Sequence, residues 1–247
     1  MDMVQPGAAI VAVLVAAFIR GFTGIGFAAF ALAIISIFHP PEIAVPAVIV
    51  LEILISLILI PPVRHEVRWR PVGLLMIGAV ALTPVGALLL LRIPADWGRI
   101  AVALAIGAVA VALLRSRTVR AAPGRLATVA VGGVAGILNG AVGISGPPII
   151  LFFVGTERAA GVTRASMMAA FLVIDVFTVL WFGVGGLFDR TTLLMILICL
   201  PSLVIGSQLG AWAFRRSDPD RYRERLLLIL LALAAVVLVR GLVALGI

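Results

Sequence analysis

Two stretches decide the fold: Arg20-Gly21-Phe22-Thr23-Gly24-Ile25-Gly26, and Asn139-Gly140-Ala141-Val142-Gly143-Ile144-Ser145-Gly146-Pro147-Pro148. Each sits in the middle of an apolar run, 7–38 and 125–154. Both runs are too long for one helical crossing, since about 30 residues reach roughly 45 Å and the hydrocarbon core of a bilayer is about 30 Å thick. Glycine and proline at this density interrupt a helix. An offset of 119 lays Arg20 on Asn139, Gly21 on Gly140 and Gly24 on Gly143. After each break come a second apolar half and three further apolar runs, so the chain reads as a tandem repeat, 1–120 and 121–247.

The remaining runs, 42–60, 71–91, 98–114, 165–187, 191–214 and 225–246, are each about one crossing long. With 63% hydrophobic and 12% charged residues the chain lacks the polar surface a soluble domain needs, and the expectation is an all-α, polytopic integral membrane protein. Strand alternation is absent, which argues against a membrane barrel. The net charge of +8 is carried by Arg residues placed between apolar runs, not by a basic patch interleaved with aromatics, so nucleic acid is not the expected partner. The first seven residues carry no basic region of the kind that starts a cleaved signal peptide. Cys199 is the sole cysteine, so neither an internal disulfide nor a thiolate metal cluster is expected, and no organic cofactor is implied.

Charge sets the expected topology. If each broken run crossed the membrane once, loops 61–70 and 215–225, both Arg-rich, would face opposite sides. If each enters and returns on one side, loops 61–70, 115–125, 155–164 and 215–225 share the cytoplasmic face and hold 14 of the 19 Arg. The second arrangement obeys the positive-inside rule. It gives each repeat a broken hairpin plus three full crossings, an odd number. The two repeats are then inverted and both termini lie outside. Trp69, Trp97, Trp181 and Trp212 fall near run ends, where an interfacial belt is expected. Gly132, Gly136 and Gly140 form a small-residue stripe for close helix packing, either inside one subunit or between two in a homodimer.

Arg20 is the most informative residue, because a charge inside the bilayer costs about 3 kcal/mol or more and is retained for a reason. It either pairs with Glu52 or Asp175 to hold the bundle together, or it binds an anion near the midplane. In the second case Gly21, Gly24, Gly140 and Gly143 would free backbone N–H groups at half-helix ends, and Thr23, Asn139 and Ser145 would add neutral donors. Glu52 and Asp175 lie in matching runs; the offset carries Asp175 to position 56, one turn from Glu52. They would carry protons for coupling or simply neutralise Arg20. Gln208 and Ser207, between Gly206 and Gly210, read first as interhelical hydrogen-bonding groups, with Gln208 a secondary candidate for substrate contact.

Two enzyme-like motifs lose their context. Gly24-Ile25-Gly26-Phe27-Ala28-Ala29 matches a dinucleotide fingerprint but has no preceding strand. Gly143-Ile144-Ser145-Gly146 is similar to the serine motif of intramembrane proteases, yet His39 and His65 both precede it and lie at run ends, leaving no base on a later helix. No catalytic residues and no metal ligands are assigned.

The stretch Gly21 to Gly26 after an apolar N-terminal run, with its echo from Gly136 to Pro148, resembles the sulfite exporter TauE/SafE family of bacterial permeases over essentially the whole chain. The resemblance implies an inner-membrane permease that exports sulfite, sulfonates or related organosulfur anions. The residues by themselves reach a secondary transporter of small anions, working by alternating access around a midplane site, with an anion channel or an intramembrane enzyme as the other readings.

Overall fold

The computed structural model describes residues 4–115, 123–156 and 160–214, together with 216 and 235. Apart from residue 235, the run 225–246 lies outside these residues. All described elements are helical: α1 (Val4–Thr23), α2 (Phe27–Phe38), α3 (Pro41–Leu59), a 3-10 turn (Pro61–Glu66), α4 (Trp69–Arg92), α5 (Ala95–Arg115), α6 (Arg125–Val142), α7 (Gly146–Thr156), α8 (Ala160–Val184) and α9 (Arg190–Phe214). Among the described residues, α3, α4, α6, α8 and α9 are long and apolar enough to cross a bilayer. Large apolar side chains stand exposed along their outer faces, among them Ile77, Leu88, Leu180 and Leu197. That is the pattern of helices whose solvent is lipid and whose backbone bonds are all internal.

Both long runs break at the expected places, and by the same device. The Gly24 amide donates to the Arg20 carbonyl across 2.7 Å, and the Gly143 amide to Asn139 across 2.8 Å. Gly24 and Gly143 have φ of 81° and 70°, the left-handed conformation that ends a helix and that a side chain disfavours. Helix α2 restarts at Phe27 and α7 at Gly146, followed by Pro147 and Pro148, whose missing amides cost nothing in a first turn.

The helices pair across the two halves. Helix α1 packs along α9, and α4 along α6. Under the offset of 119 these are the same pairing read from either half, since α1 corresponds to α6 and α4 to α9. Glycines bring the backbones together. A Cβ on Gly132, Gly136 or Gly140 would run into the carbonyl oxygen of Leu75, Ala79 or Thr83, and one on Gly206 or Gly210 into that of Leu14 or Phe18. The contact partners advance together by four residues, so both pairs run parallel. The Gly132-Gly136-Gly140 stripe is therefore used inside the subunit, against α4.

Further contacts tie the ends of the helices. The Glu66 carboxylate meets Gly161, and the Arg68 amide donates to Ser166 Oγ across 2.9 Å, which brings the turn after α3 beside the start of α8. At the other end, Gly185 after α8 lies against Leu91 near the end of α4.

Candidate functional site

The two breaks meet in the interior of the bundle. A pocket of about 320 Å³, its open mouth included, is lined by Gly26, Ala28 and Ala29 from the start of α2, by Gly143 to Gly146 from the second break, and by Glu52, Ile150 and Phe171. The first intrahelical bond of α2 runs from the Phe30 amide to Gly26 O, so the amides of Phe27, Ala28 and Ala29 have no acceptor inside the helix. They lie at the positive end of the helix dipole, beside the pocket. Pro147 and Pro148 have no amide, so the donors on the other wall are confined to Ile144, Ser145 and Gly146.

Behind this wall sits a fully buried cation. Arg20, at the end of α1, donates from one terminal nitrogen to Glu52 Oε1 across 2.6 Å and from the other to Ser56 Oγ across 2.8 Å. Its guanidinium carbon lies 5.6 Å from the ring centroid of Phe171. Its Nε is buried with no acceptor. Of the Arg20 partners, Glu52 and Phe171 line the pocket. The guanidinium is thus one layer back from the pocket, with an acid between.

The second half repeats the arrangement with different chemistry. Asn139, at the end of α6, donates from Nδ2 to Asp175 Oδ1 across 2.9 Å and to Thr178 Oγ1 across 3.0 Å; Thr178 in turn donates to the Ile174 carbonyl across 2.9 Å. Asp175 is buried, and its Oδ2 has no donor. Sequence separation matches as well: Arg20 to Ser56 and Asn139 to Asp175 both span 36 residues.

Only some of the sequence-predicted residues reach the pocket. Gly143, Ser145 and Glu52 line the pocket; Arg20, Asn139 and Asp175 stand behind or beside it in the buried polar layer. Gly21 and Gly140 do a different job from the one expected. They lie within α1 and α6, and each faces a neighbouring helix, Gly21 the Ser207 carbonyl of α9 and Gly140 the Thr83 carbonyl of α4. Gly24 and Gly143 spend their amides on closing α1 and α6. The amides without helical partners come one to five residues later, because a helix exposes donors at its N-terminus and not at its end. Gln208 lies on the exposed face of α9, outside the pocket, while Ser207 beside it is buried. The side chain of Thr23 lies outside the described residues.

Sequence reasoning passed over Ser56 and Thr178, although the offset that carried Asp175 to position 56 pointed at the first. It also counted Arg164 as a loop charge. Arg164 belongs to α8, is half-buried, and its side chain covers Gly24. Among the described residues, no three His, Cys, Asp or Glu side chains gather as a metal site requires.

Comparison with known proteins gives one positive result. No curated protein and no solved structure matches the chain. The sequence model of the family described as Sulfite exporter TauE/SafE matches residues 9–238, nearly the whole length. Together with the apolar helices, this makes the protein an integral membrane protein. The chain belongs to the sulfite exporter TauE/SafE family, a family of membrane transporters.

Proposed function

We propose that the protein exports small organosulfur anions, sulfite or sulfonates, across the bacterial inner membrane by alternating access around the pocket between the two breaks. The observation that carries this reading is the composition of that pocket: helix-start amides from α2 on one side, the Ile144 to Gly146 amides and the Ser145 hydroxyl on the other, and Glu52 linking it to Arg20. An oxyanion satisfies such donors, and its charge competes with the Glu52 carboxylate for Arg20. Binding then couples to the Arg20–Glu52 pair. Glu52 released from Arg20, or Asp175 through its unpartnered Oδ2, would take up a proton, which links anion movement to the proton gradient.

Two inverted repeats, 1–120 and 121–247, are part of this proposal. Along α3 the second break is met first, by Val45 and Ile49 at Gly143, and Arg20 later, by Glu52 and Ser56. Along α8 the order reverses: Arg164 meets Gly24 of the first break before Asp175 and Thr178 meet Asn139. Opposite directions for α3 and α8 follow, as inversion requires. The nearness of Glu66 to Gly161, and of Leu91 to Gly185, supports hairpins that enter and return, because breaks crossing once would part both pairs to opposite sides. Arg placement then sets loops 61–70, 115–125, 155–164 and 215–225 in the cytoplasm and both termini outside.

The test is flux in proteoliposomes. Saturable sulfite uptake with accelerated counter-flow is the expected result for a carrier. Non-saturable flux with single-channel currents would replace alternating access with a pore.

A further inference from the structure

The two breaks are covered by different chemistry. Gly143 faces Val45, Leu32 and Ile49, all apolar. Gly24, its counterpart, faces Arg164, and a Cβ there would come within 2.8 Å of Arg164 Cγ. Val45 and Arg164 are themselves counterparts, 119 residues apart. One turn before Arg164, Gly161 accommodates the carboxylate of Glu66, whose side chain is 35% exposed. Arg164 is near enough to both Glu66 and Arg20 to interact electrostatically with each. A line of charge therefore leads inward from the partly exposed Glu66, through half-buried Arg164, to fully buried Arg20, whose Nε has no acceptor. Among the described residues, the second break has Val45 in the place of Arg164.

We propose that Arg164 is the anion-capturing residue of one mouth of the carrier: it takes a sulfite-like oxyanion from water, releasing Glu66, and passes it over the Gly24 loop to the pocket. This rests on the anion-carrier reading above. The loop suits the role. Gly24 holds a left-handed conformation and puts no side chain of its own against Arg164, and Gly26, two residues on, already lines the pocket. Two guanidinium groups in one low-dielectric region repel each other, and a doubly charged anion between them relieves that repulsion as it passes. At the other mouth Val45, an aliphatic residue, stands in the place of Arg164, so no counterpart of Arg164 captures the anion there.

Sided kinetics tests this. The full-length protein is reconstituted in proteoliposomes of known orientation, and sulfite KM is measured separately from each face. Arg164→Gln should raise KM about tenfold at the face bearing Glu66, the loss of one charge-assisted contact. KM at the opposite face should stay near wild type while Vmax from that face falls, because Vmax/KM must be equal in both directions without a driving force. Arg164→Lys should lie between, and Glu66→Gln should lower KM at its own face. A rise in both KM values, or no change in either, overturns the assignment. Should Arg164→Gln not fold, an unchanged same-face KM in Glu66→Gln overturns it instead. Absence of saturable sulfite flux in the wild-type protein would reject the carrier reading itself, a distinguishable outcome.

Discussion

Ser56 and Asp175 occupy matching positions in the two halves, 119 residues apart, and each accepts a hydrogen bond from the residue just before the break in the preceding run: Arg20 Nη to Ser56 Oγ at 2.8 Å, Asn139 Nδ2 to Asp175 Oδ1 at 2.9 Å. The halves have exchanged roles. One pairs a cation with a hydroxyl and recruits Glu52 a turn earlier; the other pairs a neutral amide with a carboxyl. Glu52 corresponds to Phe171, which contributes its ring face to Arg20. Matching hydrogen bonds in the two halves therefore hold different charges.

The proposed coupling role of the acids predicts a separation of binding from accumulation. Asp175→Asn retains the acceptor for Asn139 and removes the titratable oxygen; Glu52→Gln frees Arg20 from its counter-ion. Both variants should bind and exchange sulfite but lose pH-driven accumulation, measured as uptake into vesicles under an imposed pH gradient. Normal accumulation in both would make the acids structural.

The Arg20–Glu52 pair predicts non-additive stability. Arg20→Ala alone leaves a buried carboxylate without its cation, which costs about 3–5 kcal/mol. The double variant Arg20→Ala with Glu52→Gln should recover much of that loss in detergent-phase unfolding, without recovering anion binding. Recovery of both would reduce the pair to a structural bridge.

Close packing of α6 on α4 predicts intolerance at one glycine and tolerance at another. Gly136→Leu forces a side chain into the Ala79 carbonyl and should destabilise by about 1–3 kcal/mol or abolish folding. Gly73→Ala, in open space on α4, should leave the melting temperature unchanged or raise it slightly. Thermal unfolding of the purified variants decides, and equal effects would contradict the packing.

Topology is testable with single cysteines in a Cys199→Ser background. Cysteine at Glu66 should react with an impermeant reagent only after the cytoplasmic face is opened, and cysteine at Asp189 in intact cells. Labelling of both from the same side would refute the hairpins.

Much of this was legible in the sequence because the membrane leaves polar residues few places to be. Arg20, Glu52, Asn139 and Asp175 stood out as polar groups within apolar runs, and the two glycine breaks fell where α1 and α6 end. What sequence could not separate was the use of each glycine. Gly21, Gly24, Gly140 and Gly143 look alike as letters, yet two serve helix contact and two serve helix termination. That distinction depends on which face of α1 meets α9, a tertiary matter. Arg164 was hidden by its position at a run edge, where most Arg are solvated.

Everything proposed above requires that the pocket between the breaks, backed by Arg20, binds an anion. Equilibrium binding of sulfite, thiosulfate, sulfoacetate, taurine and sulfate to purified protein, read as ligand-induced thermal stabilisation, tests it most directly. One or more sulfur oxyanions should stabilise the wild type. Stabilisation should be weaker in Arg20→Lys, which keeps the charge without the planar fork. Stabilisation should be lost in Arg20→Ala, and in Gly143→Val, whose side chain meets Val45 and Leu32 at a left-handed position. A folded Arg20→Ala protein that binds these anions with wild-type affinity would contradict it.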